Sequence, residues 1–110
     1  MGKINYYHKG LKDKWLALPL SLQMANIGSE VSRALMFSGK DDNLSRAAFY
    51  RALELVDFTI ESLRKQQSPN LTEVLIAREE LCDYFYGDNE FHTDPRRLQK
   101  YYDDFALYPR

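Results

Sequence analysis

Between Leu20 and Leu63 the apolar residues fall into two runs with helical spacing, joined by a stretch too short for anything but a tight reversal. The first run is Leu20, Met24, Ile27, Val31 and Leu35; the second is Phe49, Ala52, Val56, Ile60 and Leu63. Steps of three and four place each set on one face of a helix. Gly39, Asp41, Asp42 and Asn43 lie between the runs, and residues of these types end one helix and cap the next. The two stripes therefore face each other in an antiparallel hairpin, and an all-α bundle is the architecture that buries them.

The same punctuation divides the rest of the chain. Pro19 suits the first turn of a helix, where its missing donor would be free anyway, so the first long helix is expected over about 19–38. The second is expected over 43–66, capped by Asp42 or Asn43. Ser68-Pro69 reads as a stop and restart, with Ser68 as the cap of a third helix over 69–86. That helix carries Leu71, Val74, Leu75, Leu81, Cys82 and Phe85 and ends at Gly87. Thr93 or Asp94 caps a fourth helix over 94–106, whose face holds Leu98, Tyr101, Tyr102 and Phe105. Residues 1–18 form an arm with a short helical turn at Lys12–Leu18, around Trp15. The expected architecture is one domain, 1–110, an up-down-up-down four-helix bundle with an N-terminal arm.

Gly28 is out of place in mid-helix, where glycine costs roughly 1 kcal/mol relative to alanine. With Ala25 and Ser32 it makes a stripe of small residues, which suits close approach by a neighbouring backbone.

The totals limit the function classes. A chain of 110 residues typically buries about 65% of its unfolded surface, so a core can form without metal or disulfide staples. The single Cys82, set beside an apolar stripe, reads as a small core residue in a reducing compartment. No signal peptide is expected, and no apolar stretch approaches the ~20 residues that cross a bilayer, so a cytoplasmic location and no membrane partner are expected. Net charge is −1, which argues against a dominant polyanion-binding role. The charge is uneven, however: residues 67–94 hold seven acids against Arg78 alone, and both ends are basic.

Catalytic signatures are thin, and no catalytic residue, cofactor or metal is assigned. A di-metal bundle site would need a glutamate three residues before a histidine, but Asn5 precedes His8 and Asn89 precedes His92. The loop 88–94 gathers oxygen ligands and one imidazole but lacks the alternating ligands and central glycine of a calcium loop. It reads as a polar connection between capped helices. Glu79, Glu80 and Asp83 surround Cys82 and disfavour its thiolate. Tyr6, Tyr7, Lys12 and Trp15 at one end, and Arg96, Arg97, Lys100 and Tyr101 at the other, have the composition of a single-strand nucleic-acid binder. Aromatic core residues with solvated cations as neighbours would look the same, and the net charge favours that second reading.

The candidate binding residues are Glu30, Arg33, Arg51 and Asp57. Gln23, Asn26, Glu30 and Arg33 make a polar row beside the apolar face of the first long helix. Asp57 sits at the edge of the second helix's core face, placed for a partly buried contact with Arg33 across the hairpin. Arg51 pairs most simply with Glu54, and Glu61 with Arg64 or Lys65. A ligand pocket at the polar row is one reading; a solvated helix face is the other.

Three stretches, residues 25–34, 49–57 and 81–85, together resemble a group of short prokaryotic proteins of uncharacterised function. The paired helices are also similar to the HEPN superfamily, whose bundles accompany minimal nucleotidyltransferases or act as RNases. That resemblance implies an all-α bundle with a nucleotide-related or partner-subunit role. The RNase members carry an arginine four to six residues before a histidine, whereas Arg78 lies fourteen before His92, so RNase activity is not implied. The leading expectation is a protein that works by protein–protein interaction, as a homodimer or an accessory subunit. The alternative is a HEPN-like nucleotide- or RNA-related protein, including a divergent enzyme.

Overall fold

The computed structural model describes residues 9–108, which form five helices and no strand: α1 (Lys9–Leu16), α2 (Leu20–Phe37), α3 (Asp42–Lys65), α4 (Leu71–Tyr86) and α5 (Pro95–Leu107). The all-α class and the four expected long helices are present, and the arm contributes a helix of its own. Tyr6 and Tyr7, expected at the start of that arm, lie outside the described residues.

Each boundary has a local cause. Pro19 is the N-cap of α2, and its carbonyl accepts from the amides of Leu22 and Gln23. Gly39 takes a left-handed φ of 80° after α2, where a side chain would be strained. Asp41, rather than Asp42 or Asn43, caps α3, its carboxylate accepting from the Leu44 amide at 3.1 Å. Asp42, in the first turn, favours the positive end of the helix dipole, and its carboxylate accepts from the Gly39 amide at 3.3 Å. The end of α3 carries no glycine: Gln67 takes a φ of 53°, and the Ser68 amide reaches back to the Leu63 carbonyl at 2.9 Å. Ser68 does not cap α4 as expected. Its hydroxyl accepts from the Asn70 amide and closes a turn around Pro69, so the helix starts at Leu71. Asp94 caps α5 through the Arg96 amide at 2.7 Å, with Pro95 in the first turn.

The helix α2 is the hub: it packs against α3 on one side and α5 on the other, while α3 also meets α4 and α1. Its stripe of Met24, Ile27 and Val31 is fully buried, and Phe49, Ala52, Val56, Ile60 and Leu63 of α3 are buried with it. Leu98, Tyr102 and Phe105 bring α5 into the same core. At Gly28 the close approach expected from the small-residue stripe is present. A Cβ there would lie 2.9 Å from the Tyr102 Cβ, and the Gly28 carbonyl accepts from Gln99 Nε2 at 3.0 Å.

The arm helix is sewn onto this framework by polar contacts. Trp15, only 4% exposed, donates from Nε1 to Thr59 Oγ1 at 3.0 Å, and its carbonyl accepts from Gln23 Nε2 at 2.9 Å. Gln23, the first member of the polar row, is thus a buried structural link. Lys12 reaches Glu61 at 3.0 Å and lies 5.3 Å from the centre of the Phe58 ring. That lysine holds the Glu61 carboxyl below its usual value. The helix α1 therefore lies over the C-terminal half of α3.

Two substitutions test this packing. Gly28→Ala should destabilise by about 1–3 kcal/mol, because overpacking against Tyr102 exceeds the ~1 kcal/mol that alanine's helix preference supplies; Gly28→Leu should cost more. An unchanged denaturation midpoint would show that the α2–α5 approach is looser than described. Thr59→Val keeps the shape but leaves the Trp15 N–H buried without a partner, and a loss of about 1–3 kcal/mol is expected from chemical unfolding followed by tryptophan fluorescence.

Candidate interaction face

The four residues singled out in the sequence separate into two clusters. Glu30 Oε1 accepts from Arg33 Nη1 at 3.0 Å within α2 and from Arg51 Nε at 3.2 Å across from α3. One carboxylate, mostly buried, thus orients two half-exposed guanidinium groups. The cluster carries one net positive charge, and the remaining N–H groups of both arginines are available to a further acceptor. Arg51 prefers this contact to the Glu54 partner expected from spacing.

Asp57 is not part of that cluster, and the expected contact with Arg33 does not form. Its carboxylate accepts instead from Arg78 of α4, at 2.6 Å from Nε and 3.4 Å from Nη2. The physical reason is register. Glu30 lies opposite Arg51, and the Ser45 hydroxyl donates to the Ala34 carbonyl at 2.7 Å, so Arg33 stands opposite the second turn of α3. Asp57 lies roughly 15 Å further along that helix, on its α4 flank. The Glu61–Lys65 pair does form, at 3.4 Å.

Two residues that were not singled out complete the face. The hydroxyls of Tyr50 and Tyr86 hydrogen-bond to each other across α3 and α4, while the rings are 50% and 55% exposed. Phe49 sits beneath them, with its ring centre 5.1 Å from that of Tyr86 and 5.2 Å from that of Phe85. A signal for this was present in the sequence: the dipeptide Phe-Tyr occurs at 49–50 and again at 85–86. In an antiparallel pair, each dipeptide turns its phenylalanine inward, Phe49 fully and Phe85 partly buried, and leaves its tyrosine at the rim. A hollow of about 210 Å³ opens beside these rings, edged by Ser38, Asp42 and Arg46.

The contact alters the chemistry of Tyr86. The hydrogen bond that Tyr86 donates to the Tyr50 hydroxyl is the main cause holding the Tyr86 phenol above its usual value. Nearby, burial raises the Cys82 thiol, with Arg78 opposing and Asp57 reinforcing the shift, so the residue is a thiol at neutral pH. The loop 88–94 is organised by the end of α4 and by its own side chains: Asp83 accepts from the amides of Glu90 and Phe91, and the Asn89 side chain bridges both ways to Thr93. Among the described residues, no group of three or more His, Cys, Asp or Glu side chains could hold a metal ion, and no helix is long and apolar enough to cross a membrane.

The arrangement is a surface rather than a chamber. The outer side of the N-terminal half of α3 carries Arg51 on its α2 flank and Tyr50 on its α4 flank; Asp57 continues the α4 flank just beyond the midpoint, and α1 covers part of the C-terminal half. Compared with known proteins, the chain matches no family model, no curated protein and no solved structure.

Tyr50→Phe removes the hydroxyl that holds the Tyr86 proton. The Tyr86 phenol should then ionise at lower pH, nearer the ordinary phenol range, in an ultraviolet absorbance titration, while the buried Tyr102 continues to titrate last. A titration curve that differs only by the loss of one tyrosine would show that the two hydroxyls do not interact.

Proposed function

We propose that the protein works by binding another protein, as a homodimer or as an accessory subunit, through the uncovered N-terminal half of α3 and the rims of α2 and α4 beside it. The observation that carries this reading is the Tyr50–Tyr86 pair, half-exposed over a buried phenylalanine and flanked by arginines anchored on Glu30. Tyrosine and arginine are the residue types that concentrate binding energy at interfaces. Here their conformations are already held, so little side-chain freedom is lost on association. The reading takes α2–α5 as an up-down-up-down bundle in the cytoplasm, with Glu30, Arg33, Arg51 and Asp57 as contributors to the surface.

Light scattering across a wide concentration range, on wild type, Arg51→Glu and Tyr86→Ser, tests it. Wild type is expected to self-associate, and each variant to weaken that association by about tenfold or more while keeping its melting temperature within a few degrees. A wild type that stays monomeric, with a cross-linking pattern in cell extract unchanged by either variant, would refute the assignment. A thermal shift with ATP or short RNA that both variants abolish would favour the HEPN-like alternative instead.

A further inference from the structure

Because α5 packs on α2, it stands away from α4, and a cavity of about 110 Å³ lies between the two. Glu80, Thr93, Arg97, Tyr101 and Tyr102 line it, over an apolar floor that includes Leu98. Three features set it apart from an ordinary packing defect. Tyr102 is 0% exposed, yet its hydroxyl has no hydrogen-bond partner among the described residues. Such a buried orphan costs about 1–3 kcal/mol unless something accepts from it. Glu80 and Arg97 both line the cavity but make no ion pair with each other. The Thr93 hydroxyl donates to Glu80 Oε2 at 3.2 Å and so holds that carboxylate in place.

The donor set is specific in sign. Burial, together with Tyr101 and Glu80, pushes the Tyr102 phenol far above its usual value, so its hydroxyl stays a donor at any physiological pH. A guanidinium and a fixed donor share the cavity lining with a carboxylate. An anion alone would satisfy Arg97 and Tyr102 but meet Glu80; a cation alone would do the reverse. A molecule carrying both charges a few bonds apart meets all three, with the exposed Arg97 at the mouth and Tyr102 buried behind it. The size agrees with the smallest amino acid, since a cavity of ~150 Å³ accepts the six carbons of benzene and this one, at about 110 Å³, leaves room for about four or five non-hydrogen atoms, a larger side chain having to extend into the adjoining groove. An open groove past Glu80 and Tyr101, edged by Thr72, Glu73 and Ile76, provides a way in.

We infer that the α4–α5 cavity is a binding site for a small zwitterion of the α-amino acid class, its ammonium group at Glu80 and its carboxylate between Arg97 and the Tyr102 hydroxyl. The site is distinct from the α3 face, and its existence does not depend on what that face binds.

Two-dimensional NMR titration of the whole chain with glycine, alanine, acetate and methylamine tests this. Glycine or alanine should give saturable shifts at the amides of Glu80, Thr93 and Tyr102, and acetate and methylamine should bind at least about tenfold more weakly. Tyr102→Phe and Arg97→Gln should each weaken glycine or alanine binding by about tenfold or more. Tyr102→Phe should leave the unliganded protein at least as stable as wild type, because the hydroxyl it removes has no hydrogen-bond partner among the described residues. Acetate or methylamine binding as tightly as the amino acids would overturn the zwitterion assignment. No saturable shift with any probe up to high millimolar concentration would reduce the cavity to a hydrated void and overturn the site itself.

Discussion

The contact between the backbone of α2 at Gly28 and the Cβ of Tyr102 organises the rest of the molecule. With no side chain at Gly28, α5 comes close enough for Tyr102 and Phe105 to enter the core beside Met24, Ile27 and Val31. The glycine weakens its own helix, and the burial of two large rings offsets that loss several-fold on ordinary area arguments. Once α5 is committed to α2, it cannot also close on α4. The polar cavity between α4 and α5 is thus a geometric consequence of where the small residue stands.

The charged side chains follow the same logic of placement. Glu30 is held by two arginines, one a turn away in its own helix and one across the hairpin. Asp57 turns to the opposite flank of α3, where Arg78 offers both a closer level and a bidentate geometry. Each exposed pair contributes little to stability, since water and salt screen it. Their larger effect is to hold guanidinium groups in fixed positions around the Tyr50–Tyr86 pair. A surface of rigid arginines and aromatic rims suits recognition of a protein partner, and it owes its openness to α1, which covers one half of α3 and leaves the other bare.

The two regions put forward for function differ in kind. The α3 face is convex, half-exposed and aromatic. The α4–α5 cavity is concave, small and lined by opposite charges kept apart. They use no residue in common, although Arg33 also borders α5 beside Gln99 and Asp103. A ligand in the cavity would nonetheless touch Tyr102, which bears directly on Gly28 two turns or less from Glu30 and Arg33.

Much of the fold was legible in the chain itself. The periodic stripes of α2 and α3, the glycine that ends α2, the Asp94-Pro95 start of α5 and the oddity of Gly28 all depend on residues within a few positions of one another, and local backbone energetics is written in contiguous sequence. The candidate site was only partly legible. Glu30, Arg33 and Arg51 were marked but their common contact was not, and Arg33 was matched to Asp57, which stands far along α3. Tyr50, Tyr86, Arg78 and the Glu80–Arg97–Tyr102 cavity came into view only in three dimensions. Helical periodicity determines which face a side chain occupies, whereas helix register and the choice of α2 over α4 as the seat of α5 arise from packing between segments distant in the chain. Tertiary structure alone therefore decided which charges meet, which stay apart and where an opening remains.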